Sequence, residues 1–302
     1  MTSNINATTC FVDNGEKFCE KFWKKFGKKF STSEQEQSFY TSDIDPDQKS
    51  KELYEYHKEL WNIQRKKLDL QNKVPEIIKD PQYVNGAYEL ATQNPNLRLS
   101  SDSIMSIYWH WSGNNSPYKR MQELIKKIIR DKYDTIDKFE EFIRTYLKEA
   151  NTIGGFVVFP KHPNSINGRR GMSAKIRDRF DLTLECIRCF YNKIYNPLAD
   201  VLEGDKEFFA MFGKEKDGFK KYIDFFCLNS WVNDNYDNYE VKDLLSDDGN
   251  SLLPKDKWPQ KILPCDFNGD EQVKKWWNLY NNLKNRLKAR NTDIQNLFVE
   301  KK

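Results

Sequence analysis

Asn151-Thr-Ile-Gly-Gly-Phe-Val-Val-Phe-Pro160, then Lys161-His-Pro-Asn-Ser-Ile-Asn-Gly-Arg-Arg-Gly171, then Ser173-Ala-Lys-Ile-Arg-Asp-Arg-Phe-Asp-Leu-Thr-Leu-Glu-Cys-Ile-Arg-Cys-Phe-Tyr191 is the stretch that decides the fold. The segment from Thr152 to Phe159 is short, apolar and rich in β-branched and aromatic residues, as a buried strand should be. Pro160 ends it, and the turn residues up to Gly171 predict a loop. Ser173 is a helix-capping residue, able to accept a hydrogen bond from a first-turn N–H. Behind it Ile176, Phe180, Leu184, Ile187, Tyr191 and Ile194 recur at helical spacing, so one face of a helix is apolar.

Outward from this unit, two helical stripes precede the strand. One is Met121, Leu124, Ile125, Ile128 and Ile129; the other is Ile136, Phe139, Phe142, Ile143, Tyr146 and Leu147. A strand between helices implies a mixed, α+β core, rich in helix around a small central sheet. Ser50 opens a further helix with Leu53, His57, Leu60 and Trp61 on one side, His57 being a packed or surface residue. From Gln71 to Ser116 prolines and glycines break the pattern into short strands and loops. Ile104-Met-Ser-Ile-Tyr-Trp-His-Trp111 is the best strand among them, its Trp109, His110 and Trp111 reading as core pairs or as a base-stacking platform. After Asn196-Pro197 come aromatic-rich helices at Glu207 to Phe212 and Gly218 to Trp231, then an acidic, Asn-rich surface loop at 232–250. A long helix from about Glu271 closes the chain. Val273, Trp276, Tyr280, Leu283, Leu287, Arg290, Ile294 and Leu297 form its heptad-like seam, with Arg290 as the one polar member. That seam reads either as a helix laid on its own core or as a homo-oligomer contact.

The 302 residues suffice for one large domain or two modest ones. The division expected is a basic arm and polar linker over 1–49, an α+β core over 50–270 and the C-terminal helix over 271–302. The composition, 14% aromatic and 31% charged, fits a soluble protein. No window is apolar enough to span a membrane and no secretory leader is legible, so a cytoplasmic location with reduced thiols is the expectation. The net charge of +4 is unevenly spread. Residues 16–30 carry six lysines and two glutamates, which accounts for all of it, while 232–250 is acidic. Such a bipolar molecule is unlike a general DNA-coating protein and suits steering towards a charged partner.

Within 16–30, Phe18, Phe22, Trp23, Phe26 and Phe30 share one helical face, and lysines including Lys24 and Lys25 cover the rest. This basic amphipathic helix reads as a terminal helix packed on its own core, as an arm that docks on a partner protein or as a nucleic-acid contact, a membrane surface being the weakest reading.

For chemistry, Asn167-Gly168-Arg169-Arg170-Gly171 running towards Ser173 is an anion- or partner-binding candidate. Glycines let backbone N–H groups approach a ligand, and two arginines add forked donors. Its glycine spacing matches neither a phosphate loop nor a dinucleotide fingerprint. A surface turn whose arginines pair with nearby acids explains it equally. His162 is the one candidate general base, with Arg169 and Arg170 beside it, and no catalytic constellation is legible around it. Asp178, Asp181 and Glu185 are read as helix salt bridges, Asp181 with Arg177 and Glu185 with Arg188, rather than as metal ligands. Cys186 and Cys189 lack a second close pair for zinc and read as buried thiols. No metal or cofactor is expected.

The segments Ile153 to Pro160, Ile166 to Gly171 and Ile176 to Arg188, with Tyr54-Glu-Tyr-His-Lys-Glu-Leu-Trp61, resemble a family of uncharacterised bacterial and phage proteins. The resemblance covers much of 50–230 and implies no assigned activity. Size, the basic N-terminal arm and the Lys/Asn-rich composition also resemble phage-encoded Gabija anti-defence proteins. That resemblance implies a non-enzymatic inhibitor that binds a host defence nuclease complex and keeps it from DNA. The alternative function is a binder or enzyme acting on nucleic acid or nucleotide through Asn167 to Ser173.

Overall fold

The computed structural model describes residues 46–104, 141–172, 176, 179–233, 239–254 and 270–300, apart from single positions within them. The arm with Phe18, Phe22, Trp23, Lys24, Lys25 and Phe26, the segment 105–111, the stripe at 121–129, Ser173, Arg177 and Asp178 lie outside the described residues. No described helix is long and apolar enough to cross a membrane.

The fold is α+β. Four antiparallel strands lie in chain order, β1 (Gln82–Val84), β2 (Ala87–Ala91), β3 (Arg98–Ser103) and β4 (Phe156–Pro160). Eight α-helices are described around them: α1 (Pro46–Lys49), α2 (Lys51–Lys67), α3 (Ile166–Met172), α4 (Phe180–Tyr191), α5 (Ala199–Gly204), α6 (Lys206–Ala210), α7 (Glu215–Phe225) and α8 (Asp270–Glu300). Residues Phe142 and Tyr146, on a further helical stretch, are buried in the same core.

Ser50 caps α2 as its sequence position predicts, its Oγ accepting from Leu53 N at 3.0 Å. The buried side of α2 carries Leu53, His57, Leu60 and Trp61, and the indole of Trp61 packs edge-on to Phe225. The helix is anchored to the sheet by polar contacts as well. Tyr54 Oη accepts from Ser101 N at 2.9 Å, and His57 Nε2 meets Ser101 Oγ at 3.1 Å.

Four local expectations need correction. The expected strand at Thr152 begins only at Phe156, because Ile153–Gly155 is a tight 3-10 turn. Gly154 N there donates to Asn291 Oδ1 at 2.7 Å, and a Cβ on Gly155 would collide with the Ala150 carbonyl. The expected loop through Gly171 contains α3. Asp205, far along the chain, accepts from Ile166 N at 3.2 Å and so caps the α3 N-terminus. The helix expected from Ser173 starts at Phe180, though Ile176, Phe180, Leu184, Ile187 and Tyr191 are all buried as the periodicity requires. It ends before Ile194, which is exposed. The acidic loop at 232–250 is not a plain surface loop. Val232, Val241, Leu244 and Leu245 are buried, and Asn278, Asn282 and Arg286 of α8 bind its carbonyls.

The described part of the α8 seam packs inside the chain, the side chains of Val273 and Trp276 lying outside the described residues. Tyr280, Leu283 and Leu287 join the main core, and Ile294 and Leu297 join a second cluster with Leu53, Ile153 and Phe156. The C-terminal helix thus takes part in the core packing. Arg290 explains the one polar position. It is 1% exposed and donates to Phe226 O at 2.9 Å and to Gly154 O and Phe156 O at 2.7 Å each.

A second buried charged group joins α4 to the acidic segment. Asp181 pairs with Arg179 and also accepts from Leu182 N and Leu244 N, while its expected partner Arg177 lies outside the described residues. Arg179 reaches on to Asp243 at 2.9 Å. Burial, with Asp181 nearby, outweighs Arg179 and raises the Asp243 pKa above the ordinary carboxylate value. Glu185 and Arg188 form the expected i,i+3 pair at 2.6 Å. Cys186 and Cys189 are buried free thiols, and burial pushes the Cys189 thiol up to about 12.

Candidate functional site: a polar cleft over the sheet

Strand β3 reads Arg-Leu-Ser-Ser-Asp-Ser, and alternation divides it into two faces. Leu99 and Ser101 look towards α2, where His57 receives Ser101. Arg98, Ser100 and Asp102 look the other way. The register pairs Ala91 with Arg98 and Leu90 with Leu99, so Glu89 of β2 falls on the face of Arg98 and Ser100. These side chains floor a cleft of about 900 Å³. Its walls are α1 with Asp47 and Gln48, the β1–β2 hairpin with Val84 and Ala87, and the segment from Lys161 to Gly168. Lys49 ties the first two together by donating to Tyr83 Oη at 2.6 Å and to Gly86 O at 2.9 Å.

The floor groups are held in fixed positions. Glu89, 5% exposed, accepts from Arg98 Nε at 2.7 Å. Asp102 accepts from Arg170 Nε at 2.6 Å. The Asn167 amide serves both neighbours when its nitrogen donates to Asp102 at 3.0 and 3.1 Å and its oxygen accepts from Ser100 Oγ at 3.0 Å. At the wall, His162 Nε2 meets Asp205 Oδ1 at 2.5 Å. Asp205 sits in the turn between α5 and α6 and is 1% exposed, whereas His162 is 39% exposed towards the cleft. Burial raises the Asp205 pKa, against the opposing pull of His162 and of Ile166 N. An acid that orients a partly exposed imidazole in this way is the support a proton-transfer group needs. Ser165 shares the wall and donates its main-chain N–H to His162 O at 3.1 Å, but its hydroxyl makes no described hydrogen bond to the His162 ring, so no nucleophile–base pair is assembled among these residues.

The sequence-derived candidates are therefore divided. His162, Asn167 and Gly168 line the cleft. Arg170 does not face a ligand: it is 1% exposed and spent on Asp102 and Ser103 O, with its guanidinium over the Phe180 ring. Arg169 bonds Asn164 Oδ1 at 2.8 Å and is not among the lining residues. Arg170 is thus held by an acid distant in the sequence and Arg169 by a neighbouring amide. Glu89, Arg98, Ser100, Asp102, Lys161 and Asp205 were missed. The signal for three of them was present as the alternation of Arg98, Ser100 and Asp102 in a strand of the sheet, since a strand with one polar face inside a domain leaves that face to solvent or to a ligand. Asp205 left no local signal. Among the described residues no group of His, Cys, Asp and Glu is arranged to hold a metal ion.

No curated protein and no solved structure matches the chain. Residues 28–294 match the model of a family of unknown function (DUF6994), which is well over half of the chain, and the protein belongs to that family.

Proposed function

We propose that the protein works by binding a small hydrophilic molecule in the cleft over β2 and β3, with His162, oriented by Asp205, as the group available for proton transfer. The observation that carries this reading is the floor of fixed polar side chains, Glu89, Arg98, Ser100, Asp102 and Asn167, under a volume of about 900 Å³. That volume is within the range of small-molecule sites. Most such sites are largely apolar. A floor of carboxylates, hydroxyls and amide instead matches a ligand with many hydrogen-bonding groups, such as a sugar or nucleotide. Gly168 offers a direct test, because it lines the cleft and a Cβ built on it meets nothing within 4 Å. Gly168→Trp fills the cleft from a helix that tolerates the change. In a thermal-shift screen of sugars, nucleosides, nucleotides and amino acids, wild type gains stability from one class and Gly168→Trp does not. A ligand that stabilises both equally places the site elsewhere.

A second reading is carried by the sequence of residues 16–30, whose aromatic face of Phe18, Phe22, Trp23 and Phe26 among lysines suits a partner groove. Under it the protein is a phage-encoded, Gabija-type inhibitor of a host defence nuclease. Tagged protein expressed in cells carrying such a system retrieves the nuclease, and removal of residues 1–30 weakens the retrieval. Recovery of no defence protein rules against it.

A further inference from the structure

We propose that the ligand of this cleft carries a phosphate monoester, and that Arg98 and Lys161 are its docking point. The inference rests on the cleft reading above and adds the ligand's charge and the residues that meet it. The register of β3 and β4 pairs Leu99 with Pro160, so one step on Lys161 stands opposite Arg98, and Lys161 N donates to Arg98 O at 2.8 Å. Both side chains line the cleft. Two cations directly opposite on one sheet face repel each other.

Glu89 answers only part of that charge. It takes the Nε of Arg98 and so fixes the plane of the guanidinium, while the two terminal nitrogens donate to no other described group and the side chain stays 40% exposed. The Lys161 side chain is exposed and has no hydrogen-bond or ion-pair partner among the described residues. Next to it His162 is held through Nε2, which leaves Nδ1 without a described partner. A preset fork on the floor, with an ammonium and an imidazole on the wall, supplies the cleft with donors from three side chains. A carboxylate is satisfied by the fork alone, whereas the oxygens of a phosphate monoester use all three. Beyond this end, Ser100, Asn167 and Asp102 present acceptors and donors for hydroxyl or amino groups of the same molecule.

The test is titration calorimetry of the full chain with inorganic phosphate, ribose 5-phosphate and AMP, against ribose and adenosine. Wild type, Lys161→Glu and Gly168→Trp are compared. The expected result is that the phosphate monoesters bind at least about tenfold more tightly than their unphosphorylated counterparts. Lys161→Glu removes that advantage without lowering Tm, because its side chain is exposed and an acid opposite Arg98 relieves the repulsion, and Gly168→Trp abolishes binding. Three results overturn the proposal: phosphate esters that bind no better than ribose and adenosine, esters that bind Lys161→Glu as well as wild type, or no binding of any phosphate probe at millimolar concentration. In the first two cases, if Gly168→Trp still blocks what binds, the cleft reading stands and only the anion assignment fails. In the third, the wider screen with Gly168→Trp decides the cleft reading separately.

Discussion

Replacing Arg290 by Met tests how α8 is fixed to the rest of the molecule. The guanidinium donates to three main-chain carbonyls on two elements, Phe226 O just after α7 and Gly154 O and Phe156 O at the start of β4. Burial pulls its pKa down to about 10, so at neutral pH it is still a cation. Methionine matches much of the volume but leaves the three carbonyls without these donors. An unpaired buried carbonyl costs about 1–3 kcal/mol, and relief from burying the guanidinium offsets part of the sum, so the net loss is about 3–5 kcal/mol. Lysine, a single point charge on a narrower head, cannot span α7 and β4 together, and Arg290→Lys keeps less than half of the stabilisation. Urea unfolding followed by tryptophan fluorescence reads both values at constant slope. The same variant has a second readout. Arg290 is one of two causes, after burial, that hold the His57 pKa down to about 3, so its removal shrinks the acid-side loss of stability due to His57. An Arg290→Met protein within about 1 kcal/mol of wild type refutes the argument, because it means the carbonyls find other donors at no cost.

His57 is itself a pH probe: the unfolded chain takes up its proton near 6.5 and the folded chain only near 3. Its contribution is therefore complete above pH 6.5 and is lost as pH falls towards 3, by at most about 5 kcal/mol at 1.36 kcal/mol per unit; urea midpoints for wild type and His57→Gln across that window should converge on acidification. Asp205→Ala removes the cap on α3 together with the His162 partner, with an expected loss of about 1–2 kcal/mol and faster amide exchange confined to the first turn of α3. Exchange unchanged at Ile166 counts against the long-range cap. Two glycines should part company: Gly155→Ala drives a methyl into the Ala150 carbonyl and destabilises by more than about 2 kcal/mol, while Gly168→Ala, with open space and a helical position, gains up to about 1 kcal/mol in thermal or urea unfolding. Native Cys186 and Cys189 should react with a thiol reagent at neutral pH only as fast as the fold opens, since burial raises both thiol pKa values.

Periodicity alone placed the apolar faces. The buried set of α4, the Ser50 cap and inner side of α2, and the seam of α8 follow from spacings of three and four residues, because a helix must hide whichever stripe is apolar wherever it finally packs. The Glu185–Arg188 pair was equally legible, being local. What tertiary structure decided is every feature whose two halves are far apart in the chain. Arg290 was visible as a polar interruption, but its carbonyl partners were not. α3 looked like a loop because its cap is supplied from Asp205, on another element. Arg169 and Arg170 looked like one anion-binding pair, and folding turned one inward to Asp102 and the other to Asn164. The cleft has the same origin: Glu89 lies on β2, Arg98 on β3 and Lys161 just past β4, and only hydrogen-bond register between those strands brings them to one cleft.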